Sequence, residues 1–206
     1  MALQGVEIQV DYVKIEEQYS QTAKTAELDL NLGVGELILE AESRSGRLIS
    51  GDITPGSVAD NMEERDGHIS YELQSTQPAF FPHTARWELG IAPGLPMDIM
   101  VDNSVGEFLL DLHGLELASL TVNQGVGRMF IGLPDSVPGE VLIKQGVGMI
   151  EVEIPQGVRV AVDAQNGLTR VNFPGDFELD DGYYSTPGTS RSNAELLIVV
   201  EQGIGL

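Results

Sequence analysis

Apolar residues recur at alternate positions through short stretches of this chain, and the stretches themselves recur. Met149-Ile150-Glu151-Val152-Glu153-Ile154 and Val158-Arg159-Val160-Ala161-Val162-Asp163 alternate with period two, the pattern of a strand buried on one face. No apolar stripe of period 3.6 is sustained, so few helices are expected. Val105, Val126, Val147 and Leu168 follow one another at intervals of 21 residues. Ile99, Leu120, Val141 and Val162 keep the same frame before them, and Phe108, Met129, Ile150 and Val171 keep it after. Four copies in one frame without an insertion point to a shared structural unit.

Each unit reads as two strands joined at a corner such as Gln145-Gly146-Val147-Gly148. The glycines are expected to supply positive φ or close backbone approach, with the valine between them turned inward. On that reading Val126→Asp buries an unpaired charge and unfolds the repeat. Asn103, Gln124, Gln145 and Asn166 form a column just before the corner. They either hydrogen-bond as a ladder, as stacked parallel strands permit, or are amides that suit a turn. The frame also reaches Leu28, Leu30, Val34, Leu37 and Leu39, offset by 71 from Ile99, Val101, Val105, Phe108 and Leu110. At the other end Ile198, Val200 and Ile204 match Val162, Ala164 and Leu168 at an offset of 36.

Such units bury their apolar faces only against the next copy, so they stack. The expected fold is all-β, a β-helix-like solenoid of 21-residue repeats. A leucine-rich-repeat-like solenoid is the alternative, because Leu117-x-x-Leu120-x-Val122 imitates that repeat once. One domain is expected: residues 1–25 as an N-terminal segment or cap, 26–173 as stacked repeats with a polar loop at 54–66, 174–195 as an acidic loop, and 196–206 as an incomplete last repeat. Arg47–Ile53, His68–Gln74 and Arg86–Ile91 read as shorter strands between the first unit and the regular array. The last repeat has a first strand and corner but no second strand, which exposes an edge. Either the chain is cut from a longer one, or the alternating segment Val6–Ile15 or another subunit covers an end.

Charge narrows the partners. With 11 Lys+Arg against 32 Asp+Glu, the formal charge is −21, which argues against nucleic acid and against anionic membrane surfaces. There is no cysteine, which removes disulfides, thiol catalysis and thiolate metal sites. The longest apolar run, Leu196–Val200, cannot span a bilayer, and Met1-Ala2-Leu3 leads straight into polar sequence rather than a signal peptide. The chain is therefore expected not to insert into a membrane itself, although a longer gene product could tether it.

Candidate chemistry is sparse. The corner glycines lack the third glycine, helix and Gly-Lys-Ser/Thr of nucleotide loops. Calcium rolls need repeated aspartates, whereas the positions after the corner hold Glu107, Arg128, Met149 and Arg170. Asp176, Glu178, Asp180 and Asp181 form either a weak ion site or a solvated loop. The outward columns Asp111, Gly132, Glu153, Pro174 and Leu109, Phe130, Glu151, Asn172 hold no adjacent carboxylates for glycoside chemistry. His68, His83 and His113 lack ligand spacing. No catalytic residue, metal or cofactor is expected. Phe80, Phe81, Trp87, Tyr183 and Tyr184 are the candidate interaction residues, as aromatics that either contact a protein or glycan partner or seal an end of the stack.

The units Leu30-Asn31-Leu32-Gly33-Val34-Gly35-Glu36-Leu37, Val122-Asn123-Gln124-Gly125-Val126-Gly127 and Glu201-Gln202-Gly203-Ile204-Gly205 resemble the toast-rack family, as does Leu112-His113-Gly114-Leu115-Glu116-Leu117-Ala118-Ser119-Leu120. These are domains of unknown function related to the C-terminal region of LiaF-type cell-wall-stress proteins and to bacterial "putative adhesin" domains. The resemblance runs from about Ala26 to the end. It implies a right-handed, single-stranded β-helix-like solenoid of bacterial origin, often attached to membrane-spanning segments. The function it implies is a non-enzymatic structural or interaction module of an envelope-associated protein, with a role in envelope stress. A glycan-binding adhesin is the alternative and a carbohydrate-active enzyme the remoter one. The family supplies no catalytic residues. Thr169 departs from the pattern where the second corner glycine is expected, which implies a looser corner.

Overall fold

The computed structural model describes residues 12–205 apart from 43–45, 55, 77–84, 137–138, 174–176 and 181. The described residues contain no helix, only strands: β1 (Val13–Gln18), β2 (Thr25–Ala41), β3 (Arg47–Thr54), β4 (Val58–Arg65), β5 (His68–Ser75), β6 (Ala85–Ile91), β7 (Met97–Asp111), β8 (Leu117–Gly132), β9 (Glu140–Glu153), β10 (Val160–Thr169), β11 (Glu178–Asp180), β12 (Tyr183–Ser185) and β13 (Leu196–Gly205). The leucine-rich-repeat alternative, which needs a helical half, thus has no counterpart here.

All join one sheet, whose main path runs β1-β3-β6-β2-β7-β8-β9-β13-β10-β12-β11. Its centre is a parallel stack of long strands, each passing through a corner and so having two arms. Val34, Val105, Val126 and Val147 are direct neighbours across β2, β7, β8 and β9. From β7 to β9 the neighbours are 21 residues apart. The inner faces of both arms supply one core, including Leu28, Leu30, Leu37, Leu39, Phe108 and Leu110. Leu112, Leu115 and Leu133, in the connections between rungs, are buried in the same cluster.

Spatial order departs from chain order at the C-terminal end. The unit after β9 in sequence is β10, yet β13 lies between them, pairing Ile204 with Val147 on one side and with Leu168 on the other. Leu196–Val200 is apolar at every position, and Leu196 and Ile198 lie in the core. The outer edge of β10 is instead covered antiparallel by β12, with Ala161 opposite Ser185 and Val162 opposite Tyr184.

Two elements differ from the sequence expectation. The expected polar loop at 54–66 contains β4, which pairs antiparallel with β5. Asp66 and Gly67 form their two-residue turn with φ of 55° and 80°, the geometry that favours Asp-Gly in a tight hairpin. Within Val6–Ile15, residues 6–11 lie outside the described ones. β1 pairs with β3 at the end of the sheet opposite β13, so it does not cover the open C-terminal rung.

Candidate interaction surfaces

The corners hold a buried polar spine and an exposed apolar ridge. Asn103, Gln124, Gln145 and Gln202 point inward and are buried. Gln145 Nε2 donates to Gln124 Oε1 (2.6 Å), and Gln202 Nε2 donates to Gln145 Oε1 (2.7 Å). Each amide also donates to a carbonyl of the neighbouring rung: Asn103 to Gly35 (3.1 Å), Gln124 to Gly106 (3.0 Å), Gln145 to Gly127 (3.1 Å) and Gln202 to Gly148 (3.1 Å). The ladder therefore forms. Gln202 takes the place beside Gln145 that the sequence frame gives to Asn166. Buried amides in such a chain satisfy one another, which offsets the cost of leaving water.

Because the amide occupies the inside of the bend, the next residues turn outward. Val105, Val126, Val147 and Ile204 are 47%, 45%, 42% and 51% exposed, and Val34 is 38% exposed. This corrects the expectation of inward corner valines, and with it the expectation that Val126→Asp buries a charge. The glycine after each of these residues is there for close approach: a Cβ on Gly127 would lie 1.8 Å from the Gly106 carbonyl oxygen, and Gly127 has φ of 153°. β10 has Thr169 in that column and ends there, whereas β2, β7, β8 and β9 continue into a second arm.

The outer faces beside the ridge are mixed. Beyond it, Leu109 and Met149 are exposed and Phe130 is half-buried. Charges pair between rungs, as Arg128 does with Glu107 (2.6 Å) and Lys144 with Glu201 (3.0 Å). The half-exposed His113 ring lies 2.6 Å from Asp111. This hydrogen bond raises the His113 pKa and lowers that of Asp111. Among the described residues, no group of three or more His, Asp or Glu side chains is placed to hold a metal ion.

The aromatic candidates do not form one surface. Trp87 is completely buried, opposite Leu37 and Ile53 on the neighbouring strands, which withdraws it from any partner. Its apolar neighbours on both sides make it part of the core. Phe80 and Phe81 lie outside the described residues. Tyr183 and Tyr184 sit half-buried on β12. Arg191 packs over the Tyr183 ring, 5.1 Å from its centroid. Tyr184 packs on Phe173 (4.4 Å), which stacks on Phe177 (4.9 Å). This aromatic group borders an apolar cleft of about 460 Å³ at the C-terminal end of the core, lined by Ile150 and Val152 of β9, Ile198 and Val200 of β13, and Phe173 and Phe177. Sequence reasoning missed both ridge and cleft. The signal for the ridge was present in the four residues between inward Gln124 and inward Met129, a spacing that strict alternation does not allow.

The model of the N-terminal domain of toast_rack, DUF2154, matches residues 5–153. The chain belongs to the toast-rack family. No curated protein matches it. Among solved structures, this toast-rack chain is similar to a putative cell adhesion protein from Clostridium sporogenes, with a TM-score of 0.80 and 23% identity over 96% of each chain. At that identity the likeness extends to the fold. No helix among the described residues is long and apolar enough to cross a membrane.

Proposed function

We propose that this toast-rack chain is a non-enzymatic interaction module of a bacterial envelope-associated protein, with a protein as its partner. The observation that carries the reading is the exposed ridge of Val34, Val105, Val126, Val147 and Ile204, aligned on adjoining rungs. Contiguous exposed apolar side chains rimmed by charge are a mark of association surfaces. A right-handed solenoid winding built on the 21-residue spacing is part of this reading. The in-register pairs of β7, β8 and β9 support the spacing. The adhesion protein among its structural neighbours is consistent with such a role. A glycan-binding adhesin is the second reading. It rests on Tyr183, Tyr184 and the Arg191 contact, and it is weakened by the burial of Trp87.

The test is retention of the chain on bacterial envelope fractions, compared with the variant Val105→Lys/Val126→Lys, alongside a glycan array. The reading expects retention that the ridge variant loses without a change in melting temperature. Equal retention by both proteins contradicts it, and array binding lost on Tyr183→Ala selects the glycan reading.

A further inference from the structure

Among the described residues, an interval one strand wide separates β9 from the chain after β10 beyond Gly205, and its two walls define what fits. β13 runs between β9 and β10 as far as Gly205, opposite Gly148 and Thr169. Beyond the corner, β9 continues through Met149–Glu153, paired with β8 on one side only among the described residues. On the far side the Arg170 N–H donates to the Gly205 carbonyl (3.2 Å), and the chain continues through Val171 and Asn172. β9 and β10 are two rungs apart, roughly 9.5 Å at ordinary strand spacing. A hollow bounded by Ile150, Arg170, Val171 and Asn172 occupies the interval. Its floor is the apolar cleft beneath Ile150 and Val152.

We propose that this gap binds an extended segment of a partner protein, added parallel to β9, with apolar residues at two alternate positions and basic residues between them. The proposal rests on the interaction-module reading and names the partner's chemistry. Register sets the pattern. Ile150 and Val152 face the cleft, so residues beside them on an added strand point inward and must be apolar. Residues beside Met149, Glu151 and Glu153 point outward, where those three side chains are exposed or nearly so. Elsewhere on this face, outward acid and base pair between adjacent rungs, as Arg128 does with Glu107 (2.6 Å) and Arg86 with Glu36 (2.5 Å). Glu151 and Glu153 have no such cation among the ion pairs of the described residues. A Lys or Arg on the added strand supplies one. The net charge of −21 disfavours a second copy of this chain as occupant. Main-chain hydrogen bonds to a sheet edge provide affinity and the alternate side chains provide selectivity, as in other strand-addition complexes.

The probe is a capped peptide, Lys-Val-Arg-Ile-Lys, titrated into the full chain by fluorescence anisotropy, with two controls: Glu-Val-Glu-Ile-Glu, and a scrambled peptide with both apolar residues adjacent. Binding of the basic peptide is expected to be at least tenfold tighter than either control. It should weaken about tenfold in Glu151→Lys/Glu153→Lys, whose exposed positions leave the fold intact, and amide NMR shifts should concentrate at Ile150, Val152 and Gly205. Equal binding of the controls overturns the proposal, as does undiminished binding by the charge-reversed variant. Light scattering that shows self-association which the peptide does not compete with gives the gap to a second copy and overturns it too. Val105→Lys/Val126→Lys should bind the peptide normally, so the ridge reading and the gap proposal fail separately.

Discussion

Gln145→Leu tests the polar spine where its connections are densest. The side chain is 3% exposed. Its amide nitrogen serves Gln124 Oε1 and the Gly127 carbonyl, and its oxygen accepts from Gln202. Leucine has a similar size and none of these groups. Two acceptors lose this donor, and Gln202 keeps only its bond to Gly148 (3.1 Å). At about 1–3 kcal/mol for each of these three groups, the gross loss is about 3–9 kcal/mol. Added apolar burial returns about 1–2 kcal/mol, for a net destabilisation of about 1–8 kcal/mol. Urea unfolding with an unchanged m-value is the assay. The triple variant Gln124→Leu/Gln145→Leu/Gln202→Leu removes partners together and should cost much less than three times the single change, because contacting residues are not additive. A single-variant loss below about 0.5 kcal/mol, or strict additivity in the triple, would refute the ladder as an energetic unit.

Gly127→Ala should destabilise by more than about 3 kcal/mol, since its Cβ meets the Gly106 carbonyl oxygen at 1.8 Å, whereas Gly139→Ala, with nothing within 4 Å, should stay within about 0.5 kcal/mol; thermal melts distinguish them. Val126→Asp, at an exposed ridge position, should cost less than about 1 kcal/mol, and an unfolded variant would restore the inward corner. The His113 imidazole should titrate above the ordinary imidazole value of 6.5 by NMR, and Asp111→Asn should return it toward 6.5. With one pKa raised and its partner's lowered, the pair's contribution is full between the ordinary unfolded values, 3.8 for Asp111 and 6.5 for His113. It fades as pH rises through the folded His113 value and as pH falls through the folded Asp111 value. Both groups are about half exposed, so the stability effect should stay within about 0.5 kcal/mol.

The strand frame was legible because parallel in-register pairing puts equivalent residues side by side. Leu28 does lie opposite Ile99, and Val162 opposite Ile198. Orientation at the corner was not legible from alternation, which holds within an arm but not across a bend. Five steps separate inward Gln124 from inward Met129, and the residues between them turn outward around the buried amide. Nor does a repeat frame state which copies touch: β10 and β13 both fit beside β9, and β13 takes the place. The Asp66-Gly67 turn was a local hairpin signal, overlooked within a polar stretch. Trp87 is grouped with Phe80 and Phe81 as an interaction candidate, although the alternation Ala85, Trp87, Leu89, Ile91 places it on an inward face.

The insertion of β13 between β9 and β10 creates the gap and carries the ridge to its end, and a cysteine-free chain permits a direct test. Val147 and Ile204 are strand partners, about 4.8 Å apart at ordinary spacing, whereas Val147 and Leu168 are two rungs apart, about 9.6 Å. A disulfide needs Cα atoms within about 7 Å. Mild oxidation of Val147→Cys/Ile204→Cys should therefore give near-complete intramolecular cross-linking, read by mass spectrometry after proteolysis, while Val147→Cys/Leu168→Cys should remain reduced. Cross-linking of the second pair and not the first would place β10 directly on β9 and contradict the account.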